Sequence, residues 1–562
     1  MRKRFFLSIS ILFLFSYSVF SAQNNTQVIK SRHWVYDALN TISSEAGLTQ
    51  FLDVQPMTIF EMKYYLDKIE YENLSDSGKV LYDKCTSFFE EENKKNFVKN
   101  SDLMFFVNAI ASPELYFKSN PQINWTFNYF FNDNAITFPA IIGFSNWVTI
   151  QSDYFIGKNY YAQQEKNNLT NIPFGISEIG FMQPRFVYSS IAHSFKNWGF
   201  NFIIGKEGLK IGKSKLGSIV YNDTFETDVY FKLDLYSDYV KYSIDVAQVD
   251  VDKYLYLHEL RVRPFKNFYF GVIEGSLLND SFELRYLNPL MAMHSFASWK
   301  QYGNKMPKGD YEHYGEGKFC AYFCINFEYT PISNLTIYGM YAQNEMLDPG
   351  GNRSDKDLCM PDSLGGQIGI KYNIPLFDNY LSIGFEGLYT SPYLYVKQSP
   401  DWSLLKERYD IINNGGPIYT WIGSPLGPDA FAAQLSAEYQ NHAKWEAGIS
   451  YLLALHGRNS AQYLFSQKSK ADGRYHYYPW VKYNEAKNEE ERKNAVKESR
   501  NMWMTGDIEY TNTIALKGKY IFNKHISVMA QTVYSFIFNC NNLPGNFQHG
   551  IELSAAVECN LF

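Results

Sequence analysis

Long hydrophobic runs are missing from this chain. Beyond residue 21 there is no stretch of about 18 apolar residues, the length a helix needs to span a bilayer, so strands are left as the membrane route unless the chain is an exported soluble protein. Cysteine is scarce, since six in 562 residues are too few for a scaffold held together by disulfides. Positive charge is in deficit as well. The formal net charge is -6 even with Arg2, Lys3 and Arg4 counted, so the basic surface that displaces counterions is lacking and no nucleic-acid partner is expected. Aromatics are what the chain has in excess: 45 Tyr, 44 Phe and 10 Trp. With 46% hydrophobic residues and a mean hydropathy of only -0.31, the apolar content is dispersed among polar residues, which argues against disorder, coiled coil and helical membrane bundles.

Arg2 to Arg4, an apolar stretch from Phe5 to Phe15, and small residues at Val19 and Ser21 form a secretory signal peptide over residues 1–21. No cysteine stands at the cleavage point, which disfavours a lipoprotein anchor. Cys320 and Cys324 lie four apart on an alternating segment, hence about 13 Å apart in a strand and beyond the roughly 7 Å Cα limit of a disulfide. Cys359 and Cys540 fall in loops and are left as either a pair or two buried thiols.

Residues 22–100 carry helical periodicity and are expected to form a small α-helical periplasmic domain. Val35, Leu39, Ile42 and Ala46 share one face, and Gly47 follows as a stop. Thr58 stands three residues before Glu61, a capping-box spacing, ahead of the stripe Met62, Leu66 and Ile69. A third helix is expected over about 75–89, with the charged run 90–95 as a solvated linker.

From residue 101 onward the period becomes two. Val229, Phe231, Leu233 and Leu235 face one way and Tyr230, Lys232, Asp234 and Tyr236 the other, and the partner strand from Val240 to Ala247 repeats the scheme. Alternation suits a sandwich as well as a barrel, so the connections decide. Tight turns at Lys196-Asn197, Ser237-Asp238, Lys266-Asn267, Ser333-Asn334, Asp378-Asn379, Asn441-His442 and Asn523-Lys524 alternate with long excursions such as 275–317, 391–430 and 456–507. With one short exception near Val251 to Lys253, the short connections fall at one end and the long ones at the other, which is the habit of outer-membrane barrels. The expectation for residues 101–562 is therefore an all-β transmembrane barrel, antiparallel, of about 18 strands, with long extracellular loops, in the cell outer membrane. Outer-membrane lipid and the barrel-insertion machinery are the expected partners. In the final strand Ile551, Leu553, Val557 and Leu561 form the apolar face, with Phe562 in register with Glu558 and Asn560 instead.

With apolar faces turned to lipid, Lys232, Asp234, Lys241, Asp245, Glu259, Arg261, Arg263, Glu283, Arg285 and Glu386 are expected to line the lumen. Their mixed signs suit a filled interior crosslinked by ion pairs. His258-Glu259 has no second histidine at helical spacing, and no nucleophile elbow, P-loop or dinucleotide fingerprint occurs. No enzyme activity, catalytic residue, metal or cofactor is expected.

Several motifs in order resemble the capsule assembly protein Wzi family of outer-membrane barrels. They are His33-Trp34-Val35-Tyr36-Asp37-Ala38-Leu39 with Gln55-Pro56-Met57-Thr58, then Ile204-Gly205-Lys206-Glu207, Leu255-Tyr256-Leu257-His258-Glu259-Leu260, Leu284-Arg285-Tyr286-Leu287-Asn288-Pro289-Leu290 and Gly423-Ser424-Pro425-Leu426-Gly427-Pro428-Asp429. Lys210-Ile211-Gly212 departs from that family's Trp-Gly. The resemblance implies a lectin-like, non-catalytic role in holding or assembling capsular or other extracellular polysaccharide at the cell surface. A glycan site needs flat apolar faces beside polar groups, and the loop residues offering them are Trp299, Tyr302, Tyr311, Trp402, Arg408, Trp421, Asp429, Tyr478 and Trp480. A porin-like channel for small solutes and a surface adhesin are the alternatives.

Overall fold

Side chains that alternate apolar and polar give every strand two dissimilar faces, and the chain satisfies both by closing one sheet on itself. The computed structural model describes residues 25–561 except 95–102, 124–133, 159–169, 182–185, 207, 224–228, 291, 294–306, 316, 346–358, 410–416 and 442–443. The expected signal peptide lies outside the described residues.

The first strand, β1, is interrupted into Leu103–Val107, Ile110–Ala111 and Glu114–Lys118; Pro113 brings no ladder donor to the second break. It is followed by β2 (Ile136–Phe144), β3 (Val148–Lys158), β4 (Val187–Ser194), β5 (Trp198–Lys206), β6 (Val229–Ser237), β7 (Val240–Asp250), β8 (Lys253–Phe265) and β9 (Phe268–Leu278). The second half comprises β10 (Phe319–Ile332), β11 (Leu335–Glu345), β12 (Ser363–Leu376), β13 (Asn379–Thr390), β14 (Ala430–Asn441), β15 (Trp445–His456), β16 (Glu509–Asn523), β17 (Ile526–Phe538) and β18 (Gln548–Asn560). Each pairs antiparallel with the next, and β1 closes the ring between β2 and β18. With β1 counted once and Ile179–Phe181 left as an extension beside β3, this is a closed antiparallel barrel of 18 strands, as expected.

Eight connections of two or three residues lie at one end, the turn end, including all seven tight turns read from the sequence. Phe377 and Asp378 both take positive φ, 49° and 60°, the backbone a two-residue hairpin turn demands. The other end, the loop end, carries the long connections and one short one at Val251-Asp252. On β6, Lys232 and Asp234 are buried while Val229 and Leu235 are exposed on the outer wall, and Leu260, Phe270, Ile325, Ile370, Phe385, Leu516 and Leu553 continue that greasy surface around the ring. Inside, Gly205 lies against the Tyr188 ring of the neighbouring strand, where a β-carbon would collide with it. All six cysteines are free thiols, so Cys359 and Cys540 do not pair.

Among the described residues three α-helices precede the barrel: α1 (Trp34–Glu45), α2 (Ile59–Leu66) and α3 (Asp76–Lys94). Thr58 caps α2 by accepting the Glu61 amide, as its spacing suggests. Helix α3 runs on through the charged stretch expected to be a linker, and its Val80 faces out. The helices do not stand apart from the barrel. Val35, Leu39, Ile42, Met62 and Leu66 share one hydrophobic cluster with the lumen tyrosines Tyr236, Tyr269 and Tyr380. Hydrogen bonds from Thr49 N to Lys266 O (2.9 Å) and from Asn334 N to Ser44 O (2.9 Å) place them at the turn end.

The connection after β9 behaves differently from the other described loops, because residues 279–290 and 292–293 fold down the outside of the barrel. Tyr286 stacks on the outward-facing Tyr256 at 4.9 Å, and Ile244, Val246 and Leu278 of the outer wall are buried beneath the segment. Its backbone is satisfied by wall side chains: His258 Nε2 meets Tyr286 O at 2.8 Å, Tyr242 OH donates to Pro289 O at 3.3 Å, and Tyr256 OH accepts the Glu283 amide at 2.8 Å. Glu283 and Arg285, expected in the lumen, sit on this external strap, paired with each other at 2.9 Å. Their alternation with Phe282, Leu284 and Tyr286 imitates a strand, but the segment forms a short 3-10 turn, Leu284–Leu287.

Candidate functional site

The lumen is filled in three layers, the first of them the helical plug. Glu61 of α2 accepts from Lys241 Nζ at 2.6 Å and from Asn201 Nδ2 at 2.6 Å, and Asp234, between Lys232 (3.2 Å) and Lys241 (3.8 Å), completes a fully buried network. Asp53, in the link between α1 and α2, takes Arg261 Nε at 3.2 Å and Asn326 Nδ2 at 2.8 Å, while Arg261 also holds Glu259 at 2.6 Å. Arg263 donates to Thr49 O at 2.8 Å. Eight of the ten expected lining residues, Lys232, Asp234, Lys241, Asp245, Glu259, Arg261, Arg263 and Glu386, thus lie on inward-facing strand positions. Asp53 and Glu61, their partners on the plug, were not singled out for this from the sequence, because ion pairing across 180 or more residues leaves no local spacing signal.

The second layer is the chain between β5 and β6, which turns inward. Lys210 and Ile211 pair with Gln55 and Val54 of the plug. Glu386 accepts from Ser214 Oγ (2.6 Å) and from the amides of Lys215 (2.9 Å) and Leu216 (2.9 Å). Lys213 pairs with Glu328, and Lys215 pairs with Glu438, which also takes Lys517 at 2.7 Å.

The third layer closes the loop end. The described residues of 391–409, 417–427 and 457–508 bury Tyr395, Trp402, Trp421, Tyr477, Tyr478 and Trp480 in one cluster continuous with the barrel interior. Burial opposes the Lys397 ammonium, but the Glu345 carboxylate 2.5 Å away prevails and holds its pKa above the usual lysine value. Asp429 ties the two connections: it accepts from Thr505 Oγ1 (2.5 Å), Thr505 N (3.0 Å) and Asn459 N (2.9 Å). Replacing it by Ala leaves three donors unserved, and Ala takes less readily to the 62° φ of this residue. Asp429→Ala is therefore expected to destabilise the loop layer by on the order of 3 kcal/mol, read as faster protease nicking within 457–508 while the barrel itself still resists heat.

The expected glycan residues are sorted by this layer. Trp402, Trp421, Asp429, Tyr478 and Trp480 are buried parts of the cap and do not present a free face. Aromatic content in a loop did not reveal that the loops collapse inward on one another. Tyr311 is 43% exposed on the loop face. Trp299 and Tyr302, and the side chain of Arg408, lie outside the described residues. Trp503, 53% exposed on the 457–508 connection, was missed by the sequence reading. A cavity of about 250 Å³ remains in the lumen near the turn end, lined among others by Glu114, Glu438, Glu446, Lys517 and Lys519.

A closed 18-stranded antiparallel barrel with an apolar outer wall and a charged, occupied lumen has the architecture of outer-membrane barrel proteins. Among solved structures, the chain is similar over 94% of its length to Wzi of Escherichia coli, an outer-membrane protein involved in group 1 capsule assembly and described as a carbohydrate-binding β-barrel. That match covers 98% of Wzi at 10% identity with a TM-score of 0.55. OprD of Pseudomonas aeruginosa (7% identity, 82% of this chain and 96% of OprD, TM-score 0.37) and OmpT of Vibrio cholerae (10%, 82% and 99%, TM-score 0.32) also match. No protein-family model and no curated protein sequence matches the chain.

Proposed function

We propose that this protein is a non-catalytic outer-membrane barrel that holds a capsular or other extracellular polysaccharide at its loop end and does not conduct solutes. The observation carrying the reading is the occupied lumen: plug, inward segment and loop cap fill it with the chain's own residues, so the exposed loop face is what remains for a ligand. The full-length likeness in fold to a carbohydrate-binding barrel supports the same view. Export through the leader at residues 1–21, delivery to the insertion machinery, and a turn end facing the periplasm with the helical plug belong to this proposal.

Tyr311 on the loop face and Trp503 at the barrel's outer rim, where outward-facing Tyr389 donates to Met502 O, offer exposed rings for the C-H surfaces of sugars. Titrating the detergent-solubilised protein with polysaccharide extracted from the organism's own surface is expected to give saturable binding, weakened about fivefold by Tyr311→Ala or Trp503→Ala, the loss of roughly 1 kcal/mol of ring contact. Absence of binding to any extracted polysaccharide sinks the proposal.

A further inference from the structure

At the loop end, side chains from two separate connections converge. His313 lies in α4 (Lys308–Tyr314), after β9; His476 and Glu485 belong to the 457–508 connection, where α5 (Ala461–Ser466) is followed by α6 (Pro479–Glu485) and Glu485 ends the latter. Nδ1 of His313 is 2.7 Å from Glu485 Oε1, and Nδ1 of His476 is 2.5 Å from Oε2. The two rings meet edge to face with centroids 5.0 Å apart, and one donor atom from each of the three residues lies within 4.8 Å of the others. The far nitrogens are engaged too: His313 Nε2 faces Tyr475 O at 3.0 Å and His476 Nε2 faces Asp472 Oδ2 at 3.3 Å.

We propose that His313, His476 and Glu485 form a binding site for a divalent first-row transition ion, Zn²⁺ foremost, that fastens the 279–318 connection to the 457–508 connection across the mouth of the barrel.

The first support is the arrangement of the outer acceptors. A ligating imidazole gives its second N–H to a carbonyl or carboxylate, which fixes the tautomer and turns the other lone pair inward. Tyr475 O and Asp472 supply both such partners. A neutral imidazole has one N–H, so when that hydrogen serves the outer acceptor, the inner nitrogen presents a lone pair to the Glu485 carboxylate. In the 2.7 and 2.5 Å contacts a ring proton lies between nitrogen and carboxylate instead, and the ion takes that proton's place. Donor chemistry selects the ion, because two imidazoles and one carboxylate suit zinc and its neighbours, whereas Ca²⁺ and Mg²⁺ seek all-oxygen shells.

Geometry allows it. Metal–ligand bonds of about 2.0–2.1 Å in a tetrahedron hold donors about 3.3 Å apart, so the contacts to Glu485 must open by less than about 1 Å and the widest donor pair, within 4.8 Å, must close by up to about 1.5 Å. His313 is buried and fixed, but Glu485 is a half-exposed side chain at a helix end and can move. The site also lies on a seam the chain already closes, where Arg474 pairs with Asp310 at 3.2 Å and the Tyr475 amide donates to Tyr314 OH at 2.8 Å. Three protein donors leave a fourth position open to water.

The test uses the full-length protein in detergent, stripped with chelator and titrated calorimetrically with Zn²⁺ alone. We expect one ion per chain, not displaced by excess Mg²⁺ or Ca²⁺. His476→Gln and Glu485→Gln, both at accessible positions, should weaken binding by roughly 100-fold or more, and Asp472→Asn, which removes the orienting acceptor, by roughly tenfold. Folding of each variant is checked by heat-dependent gel mobility of the barrel. Zn²⁺ should slow protease nicking within 457–508 in the parent and in neither ligand variant. The proposal is overturned by a parent protein that shows no saturable Zn²⁺ uptake, by unchanged affinity in folded His476→Gln and Glu485→Gln, or by protection that persists in those variants.

Discussion

In planar bilayers the intact chain is expected to pass no sustained open-pore current, whereas a chain lacking residues 25–94, its lumen closed by the inward segment and loop cap alone, is expected to pass intermittent stepwise current. Barrels of 16 to 18 strands are wide enough to leave an aqueous channel unless something occupies them. Here α1 to α3 occupy the turn-end half, fixed by Glu61 to Lys241 and by Asp53 to Arg261. Removing them leaves the buried cations facing water, which a hydrated lumen tolerates. The inward segment loses the plug contacts that brace it from below, the pairing of Lys210 and Ile211 with Gln55 and Val54. Steady conductance by the intact protein, comparable to a general porin, would overthrow the sealed-lumen reading and favour a channel.

The second large effect comes from a single carboxylate. Glu61→Ala is expected to weaken plug docking by about 3–5 kcal/mol, because Lys241 is then left buried beside Lys232 with Asp234 as the remaining nearby carboxylate. Glu61→Leu combined with Lys241→Met should recover most of that loss, since an apolar pair of similar volume avoids desolvating two ions. Protease access to residues 25–94 as a function of urea, at concentrations that leave the barrel folded, measures both. Equal plug stability in Glu61→Ala and the parent, or a double variant as weak as the single one, contradicts the account. The comparison separates the worth of the pair from the penalty of stranding one partner.

Strand faces, turn positions and parity were legible in the sequence because each is a local pattern: alternation along β6 and β7 fixed which side chains face inward, and turns such as Asp378-Asn379 fixed where the chain reverses. The amphipathic stripes of α1 and α2 were legible too, but not the surface they would cover, because that surface is a ring of tyrosines contributed by distant strands. Glu283 and Arg285 deceived for a related reason. Two or three alternating residues cannot distinguish a strand from a segment laid flat against one. Among the loop aromatics, Trp402 and Trp480 gave no sign of burial, since what covers them comes from other connections. His313, His476 and Glu485 carried no metal-ligand spacing, because the two histidines lie on different loops.

The external strap has a consequence for the bilayer around the molecule. Over the sector spanned by β7 to β9 the outer surface presents Leu284 and Leu290, the latter 93% exposed, with a second layer of protein behind them, so the barrel's outline is not round there. Tyr242, Tyr256 and His258, polar residues on an otherwise oily flank, satisfy the strap's peptide groups, as a wall turned to lipid requires. A neighbouring membrane protein approaching from that flank meets a loop instead of a bare sheet.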